Sequence, residues 1–249
     1  MTPSDPTDAG PPDPERLARG GNRLLAAVPP EDLRRLAPAC RCVEFGLHEV
    51  LSPADTLLRY AYFPERGVIS IVGRDKRGER TEIALVGPEG FLGAPLILGD
   101  GRWPYESFVQ LGDLHAVRVD ADALVAAAEA SAGLRGLLLR AVQVQMVQVA
   151  EGLVSASWQR IPARLARWLL MCRDRTGSDR IQTTHEAIAL MVGAQRSGIT
   201  LALHELEGEG LIGATRGQIL IRRPDTLKQV ADGSYGVSER EDARLLGSG

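Results

Sequence analysis

The sequence predicts an α+β fold in which an N-terminal roll of β-strands is followed by a long helix and a C-terminal winged helix-turn-helix. Three observations favour it. Between about residues 42 and 119, short apolar runs are separated by glycines that recur roughly every ten residues, as in an all-β roll. Residues 132–158 have the apolar spacing of one long helix, and residues 183–208 contain two helical patterns joined by a glycine.

The first residues of the chain have the composition of a disordered tail. Residues 1–14 contain five prolines and three aspartates and offer little to bury. From Pro14 to about Pro38, leucines recur near helical spacing, which predicts two short helices. We assign residues 15–130 to the β-roll, and we expect residues 237–249 to form a second disordered tail.

The long helix occupies a segment that we assign to residues 131–158. Its apolar residues alternate steps of three and four, the spacing of a coiled-coil seam sustained over about two and a half heptads. The residues of this predicted seam are Leu139, Val142, Met146, Val149, Leu153 and Ala156. Apolar residues also occur on the other side of the helix, so it fits either a homodimer seam or a helix that only packs on its own roll. We expect the homodimer.

Residues 159–236 are predicted to form a DNA-binding domain. Thr183, with Glu186 three positions later, has the pattern of a capping box that starts a helix. Gly193 marks a turn, and a second helix follows whose N-terminal half presents polar side chains. Such side chains read base edges in the major groove. The predicted DNA-binding residues are Thr183, Thr184, Gln195, Arg196, Ser197, Thr200 and Arg216.

A hairpin follows the second helix and carries the last of these residues. Residues 211–221 alternate around Arg216-Gly217, so Arg216 is predicted at the tip of a wing, where it can touch the phosphate backbone. The net charge of the chain is −3, but residues 155–224 contain ten Lys and Arg against six Asp and Glu. This local excess of positive charge favours binding to double-stranded DNA.

Several motifs of the chain resemble those of the Crp/Fnr superfamily of transcription regulators. The resemblance covers roughly residues 22–236. It is carried by Gly87-Pro-Glu-Gly-Phe-Leu-Gly, by Arg164-Leu-Ala-Arg-Trp-Leu-Leu, and by the helix-turn-helix with its Glu205-Leu-Glu-Gly-Glu-Gly-Leu-Ile exit. The resemblance implies a cyclic-nucleotide-binding-like jelly roll, a dimerisation helix and a winged DNA-binding domain. It also implies a homodimer on a near-palindromic operator, with RNA polymerase as a partner.

The part of the family pattern that binds cyclic nucleotides is missing. Members that bind them carry Gly-Glu-Leu and, about ten residues later, Arg-x-Ala, whose arginine pairs with the cyclic phosphate. Here Gly93 is followed by Ala94, and Arg102 is out of register. We therefore expect a different small-molecule or redox effector. Its pocket is predicted between the roll and the long helix, at Arg140, Gln143, Gln145 and Gln148.

No cofactor or metal site is predicted. Three cysteines, Cys40, Cys42 and Cys172, are too few for a four-cysteine iron–sulfur cluster, and no two histidines have metal-ligand spacing. A haem-binding role for His48 or His115 and a redox role for the cysteines stay open. Because the N-terminus lacks a secretory signal and no stretch reaches eighteen uninterrupted apolar residues, we expect a cytoplasmic protein with no membrane partner.

Two other classes of protein fit part of this pattern. A dimeric ligand sensor or scaffold that does not bind DNA would keep the roll and the long helix, but it would not need Gln195, Arg196 or Arg216. A metal-dependent jelly-roll enzyme would need two histidines and a carboxylate that converge inside the roll, where the sequence offers only His48 and His115. We expect a transcription regulator without enzymatic activity.

Overall fold

Short helices precede the roll. The computed structural model describes residues 11–247, so most of the predicted tail at 1–14 lies outside the described residues. Three helices take the place of the two that were predicted: α1 (Pro14–Arg19), α2 (Arg23–Ala26) and α3 (Pro30–Leu36). The break between the first two follows from Gly20-Gly21 and from Asn22, whose side chain accepts a hydrogen bond from Leu25 N at 2.9 Å and caps α2.

The β-roll is built mainly from two long antiparallel strands. The bounds are β1 (Cys40–Phe45), β2 (Val50–Ser52), β3 (Thr56–Leu57), β4 (Tyr60–Arg74), β5 (Arg80–Val86), β6 (Arg102–Trp103) and β7 (Glu106–Asp120), with α4 (Ala94–Leu98) between β5 and β6. The main sheet has the order β1-β7-β4-β5, with β2 also paired to β7, and β3 pairs with β6. The interior is filled by large apolar side chains such as Ile69 and Val109, which face each other across β4 and β7. The predicted roll is confirmed.

Two helices follow the roll, α5 (Ala121–Ala130) and α6 (Ala132–Trp158). The second one is the long helix that the spacing predicts. Its N-cap is Ser131, whose Oγ accepts from Leu134 N at 3.2 Å and donates to Asp32 Oδ2 at 2.7 Å, which ties the start of α6 to α3. Leu134, Leu138 and Val144 are buried against the rest of the chain, so one face of α6 belongs to this subunit's own core.

The C-terminal domain has the predicted helices and hairpin. Its elements are α7 (Ile161–Thr176), β8 (Arg180–Gln182), α8 (His185–Val192), α9 (Arg196–Gly208), β9 (Ile212–Thr215), β10 (Gln218–Ile221) and α10 (Pro224–Val230). The three strands form one sheet in the order β8-β10-β9. Together with the roll they make a chain of helices and antiparallel sheets, which confirms the α+β class and the winged helix-turn-helix.

The predicted tail at 237–249 is wrong for most of its length. Residues Val237–Leu245 form a last helix, α11, which packs against α6. Polar contacts hold it there, because Arg23 pairs with Asp242 at 3.2 Å and Arg140 Nε donates to Leu245 O at 3.1 Å. The composition of the segment is highly charged, and local sequence gives no indication of partners that lie far away in the chain.

One hydrophobic core joins the roll to the C-terminal domain. Helix α7 packs on β4 and α8 packs on β5. Leu85 from the roll lies in the same buried cluster as Trp168, Leu169 and Met191 from the two helices. The helix-turn-helix is therefore held directly on the outer face of the roll, a contact that the sequence does not predict.

Candidate nucleic-acid interface

The turn between α8 and α9 is fixed by a glycine and an arginine. Gly193 ends α8 with φ +64° and ψ +48°, a left-handed conformation that glycine adopts without strain. Arg164, on α7, donates from Nη2 to Val192 O and, at 3.0 Å, to Gly193 O. A guanidinium at the carboxyl end of a helix satisfies carbonyls that have no partner within the helix and complements the helix dipole. The two helices are thus held at a defined angle.

The cap of α8 lies one residue later than predicted. Thr184 accepts from Ala187 N at 3.1 Å, so α8 begins at His185, and Glu186 is too early for the capping box. The reason is that Thr183 still belongs to the sheet: its backbone N donates to Gly217 O at 3.0 Å. The Thr183 hydroxyl is buried without a hydrogen-bond partner, whereas Thr184 is exposed. Of the predicted pair, Thr184 is therefore exposed and Thr183 is half-buried.

Helix α9 buries one face and exposes the other. Ile199, Leu203 and Leu206 are buried in the domain core. Gln195, the N-cap residue, and Arg196 and Ser197 in the first turn are all exposed, as predicted for base-reading side chains.

Thr200 differs from the other predicted reading residues. It is half-buried, and its Oγ1 lies 3.2 Å from His185 Nδ1 and 3.1 Å from Arg196 O. This hydroxyl joins the start of α8 to the first turn of α9. The sequence pattern did not indicate these contacts within the motif.

Gly198 lets α9 approach α7 closely. A β-carbon at this position would lie 2.7 Å from Ile161 Cδ1, at the first residue of α7. A glycine lowers helix stability by about 1 kcal/mol relative to alanine, and the close approach gives a physical reason for its presence.

The wing follows α9 in the chain. Strands β9 and β10 pair in register from Ile212↔Ile221 to Thr215↔Gln218, with Arg216 and Gly217 in the turn between them. Gly217 has φ +78°, as a tight hairpin requires. Arg216 is exposed at the tip. An exposed first turn of α9 and a basic wing are what a winged helix-turn-helix presents to a groove and its flanking phosphates.

The domain that carries these features matches a known family. Residues 163–230 match the Crp-like helix-turn-helix domain. The chain is also 26% identical over 228 residues to the CRP-like cAMP-activated global transcriptional regulator of Mycobacterium tuberculosis, an overlap of 87% of this chain and 99% of that protein. The chain is a DNA-binding transcription regulator, and it is similar to regulators of the Crp/Fnr superfamily.

Solved structures of regulators share the fold of this chain. A putative regulator of the crp/fnr family from Eubacterium rectale aligns with a TM-score of 0.68 at 16% identity, over 84% of this chain and 98% of that one. A CRP family regulator from Thermus thermophilus aligns with a TM-score of 0.66 at 19% identity, over 78% of this chain and 98% of that one. At these identities the likeness supports the order of roll, long helix and winged domain.

A polar cluster lies where the DNA-binding domain of the regulator meets the roll. Glu82 on β5 accepts from Trp168 Nε1 at 3.1 Å and from Ser70 Oγ at 2.8 Å, and Ser70 Oγ also lies 3.6 Å from Met191 Sδ on α8. Burial raises the pKa of Glu82 from 4.5 to about 8, although the Ser70 hydrogen bond and the charge of Arg175 act in the opposite direction. The sequence signal for this residue was a single glutamate in the apolar run of β5.

A second contact between the two domains is an ion pair. Arg175, at the end of α7, lies with Nε 2.8 Å from Glu89 Oε1, and both side chains are largely buried. Arg175 Nη1 also donates to Met171 O at 3.0 Å. The angle at Nε does not meet the geometry of a hydrogen bond, so this is a charge contact between α7 and the loop after β5.

A cavity of about 650 Å³ lies between the roll, α6, the end of α7 and α11. Gln145 and Gln148 line it, as predicted for an effector pocket, whereas Arg140 and Gln143 do not. Arg140 instead donates a hydrogen bond to the end of α11. Gln143 follows Leu139 by one helical turn and is exposed on the seam side of α6. Gln148 bonds both backbone groups of Leu85, at 2.8 and 3.2 Å.

Other residues stand where cyclic-nucleotide-binding members carry their phosphate-binding motif. Ala94 is buried at the start of α4. Arg102 is exposed, and its Nη1 donates to Asp55 O at 3.1 Å. Neither residue provides a carboxylate or a free guanidinium inside the roll.

The cysteines and histidines form no metal cluster among residues 11–247. All three cysteines are free thiols, and Cys40 and Cys172 are buried. His115 Nδ1 lies 3.0 Å from Glu44 Oε1, and His48 packs near the Phe108 ring. In the structure, His115 thus contacts a carboxylate and His48 contacts an aromatic ring.

Proposed function

We propose that this regulator acts in the cytoplasm, without catalytic activity, as a homodimer that reads a near-palindromic operator with two copies of α9. RNA polymerase is its proposed partner in transcription. The observation that carries the proposal is an exposed apolar stripe along α6, in a subunit that also exposes the first turn of α9. A two-fold pair of α6 helices covers the stripe and sets two recognition helices side by side.

The stripe consists of most of the predicted seam. Its members, all exposed in the single chain, are Leu139, Met146, Val149, Leu153 and Ala156. Val142 is the exception, because it is 5% exposed and belongs to the subunit's own core. The opposite face of α6, which carries Ala141, Val144 and Gln148, is buried. Since the two faces point in opposite directions, a partner helix reaches the stripe without displacing the roll.

A bilayer is the other environment that accepts an apolar helix. By length and composition alone, α6 is long and apolar enough to cross a membrane. Its buried face, however, carries polar contacts such as those of Gln148, and a third of its most apolar window is buried in the chain. These contacts favour a second copy of α6 over lipid as the cover of the stripe.

Sedimentation velocity of the full chain tests the dimer. Leu153→Glu places a charge at an apolar position that is 69% exposed in the single chain, and two-fold symmetry puts two such charges in one interface. We expect dissociation to monomers and at least tenfold weaker operator binding. The matched control is Leu57→Glu on the roll, 64% exposed, which should stay dimeric. A dimeric Leu153→Glu variant, or a monomeric wild type that partitions into lipid vesicles, contradicts the proposal.

We also propose that the cavity beside α6 is the effector site. Its volume lies within the range of about 300–1,000 Å³ that is typical of small-molecule sites. The mycobacterial relative is named as cAMP-activated, but Ala94 and Arg102 do not supply the cassette chemistry here. The proposed effector is therefore a different small molecule, and saturable binding in a titration with cAMP would contradict this.

A further inference from the structure

An exposed leucine lies on the DNA-reading face of α9. Leu201 is 70% exposed, and within residues 161–247 no other large apolar side chain is described as exposed. Every other leucine of α9 is buried in the domain core. A side chain of this type in contact with water gains free energy once an apolar partner covers it.

Its place on the helix identifies the face. Leu201 follows Ser197 by four residues, one helical turn, and points away from Ile199 and Leu203, which are buried. Arg196, Ser197 and Leu201 therefore project from the exposed side in the N-terminal half of α9. This is the part of a recognition helix that meets base edges.

The chemical groups in the major groove indicate which of them Leu201 can contact. Leucine neither donates nor accepts a hydrogen bond, so it cannot read the polar edge of a base. Among the four standard base pairs, the apolar group in that groove is the C5 methyl of thymine. We propose that Leu201 reads a thymine in each operator half-site by packing on its methyl group.

The expected position of this thymine follows from helix geometry. Leu201 lies five positions after Arg196, which is a rise of about 7.5 Å along the helix. Successive bases of one strand are about 3.4 Å apart. The thymine therefore lies within about two base pairs of the pair that Arg196 reads. The inference rests on the proposed sequence-specific reading by α9, and it does not depend on the effector.

Deoxyuridine provides a probe that removes the methyl group alone. An operator is first selected from randomised duplexes with the full-length protein, and the base pair read by Arg196 is located with Arg196→Ala. Each thymine within two pairs of it is then replaced by deoxyuridine, one at a time, and dissociation constants are measured by fluorescence anisotropy. We expect one replacement per half-site to weaken wild-type binding about threefold to tenfold.

Two variants of Leu201 complete the test. Leu201→Ala should bind the thymine and deoxyuridine operators equally, whereas Leu201→Met, which keeps an apolar side chain of similar size, should retain the difference. The position is exposed, so both variants are expected to unfold at the wild-type temperature.

Three outcomes would overturn the inference. The first is that no thymine shows sensitivity to the methyl group. The second is that Leu201→Ala keeps the difference. The third is that Leu201→Ala leaves operator binding intact but lowers transcription with purified RNA polymerase, which would place Leu201 against a protein. Failure to select any operator would instead contradict the proposed function.

Discussion

At the scale of single residues, Glu82 joins the two domains through a chain of hydrogen bonds that depends on a proton. Ser70 has one hydroxyl hydrogen, yet both Glu82 Oε2 and Met191 Sδ lie within its range. When Glu82 is protonated, its carboxyl hydrogen goes to Ser70, and the Ser70 hydrogen goes to Met191. Trp168 donates to the other oxygen. The neutral carboxyl thus satisfies every member of the cluster, in agreement with its raised pKa.

This cluster predicts how stability changes with pH. The pKa of Glu82 rises from 4.5 to about 8 on folding, so the folded chain binds the extra proton between these values. The stabilisation is fully present below about pH 4.5 and is lost as the pH rises through about 8. Glu82→Gln keeps an acceptor and a donor but does not titrate. Between pH 5 and pH 9, the free energy of unfolding of the variant should rise by about 1–2 kcal/mol relative to that of wild type. We expect a small value because the residue is only partly buried.

Urea unfolding at several pH values measures this difference. Glu79→Gln, on the exposed turn before β5, is the control and should follow the wild type across the range. An equal difference between Glu82→Gln and wild type at pH 5 and pH 9 would contradict a proton on Glu82.

At the scale of elements, the sequence predicted the helices whose bounds depend on the local spacing of apolar residues. Apolar spacing placed α6, α8 and α9 within a residue or two, because each buries one face. The cap of α8 was wrong by one residue, since the sheet partner that retains Thr183 lies in the wing, far along the chain. Helix α11 was missed for a similar reason: its stability comes from Arg23, Arg140 and the surface of α6 rather than from its own composition.

Helix α7 positions the recognition helix α9, although α7 is not predicted to contact DNA. Arg164 on α7 holds the carbonyls at the end of α8, so Arg164→Met keeps the aliphatic stem and removes the donors. We expect a loss of about 1–2 kcal/mol in the free energy of unfolding and weaker binding to the operator. Chemical denaturation and anisotropy measure both quantities.

Arg173→Met, on the same helix, is the matched control. Arg173 pairs with Asp179 at 2.5 Å, but both side chains are substantially exposed, and exposed pairs contribute little. Equal losses of stability for Arg164→Met and Arg173→Met would show that the carbonyl contacts do not set the turn.

At the scale of the whole molecule, the two opposite faces of α6 contact different surroundings. One face lines the cavity with Gln145 and Gln148, and the other carries the exposed stripe around Leu153. The roll also contacts α7 and α8 directly, so a ligand in the cavity lies near both the proposed dimer interface and the DNA-binding domain. The sequence predicted the three parts in order, but not the core that the roll shares with the winged domain, because contacts between distant segments leave no local periodicity.

The central claim is that α9 reads bases while the wing holds the backbone. The direct measurement is the affinity of wild type, Arg196→Ala and Arg216→Ala for a selected operator and for a random duplex of equal length, at one salt concentration. Arg196→Ala should lose about 1–3 kcal/mol on the operator and little on random DNA, whereas Arg216→Ala should weaken both to a similar extent. Equal losses on the two duplexes for Arg196→Ala would contradict the account.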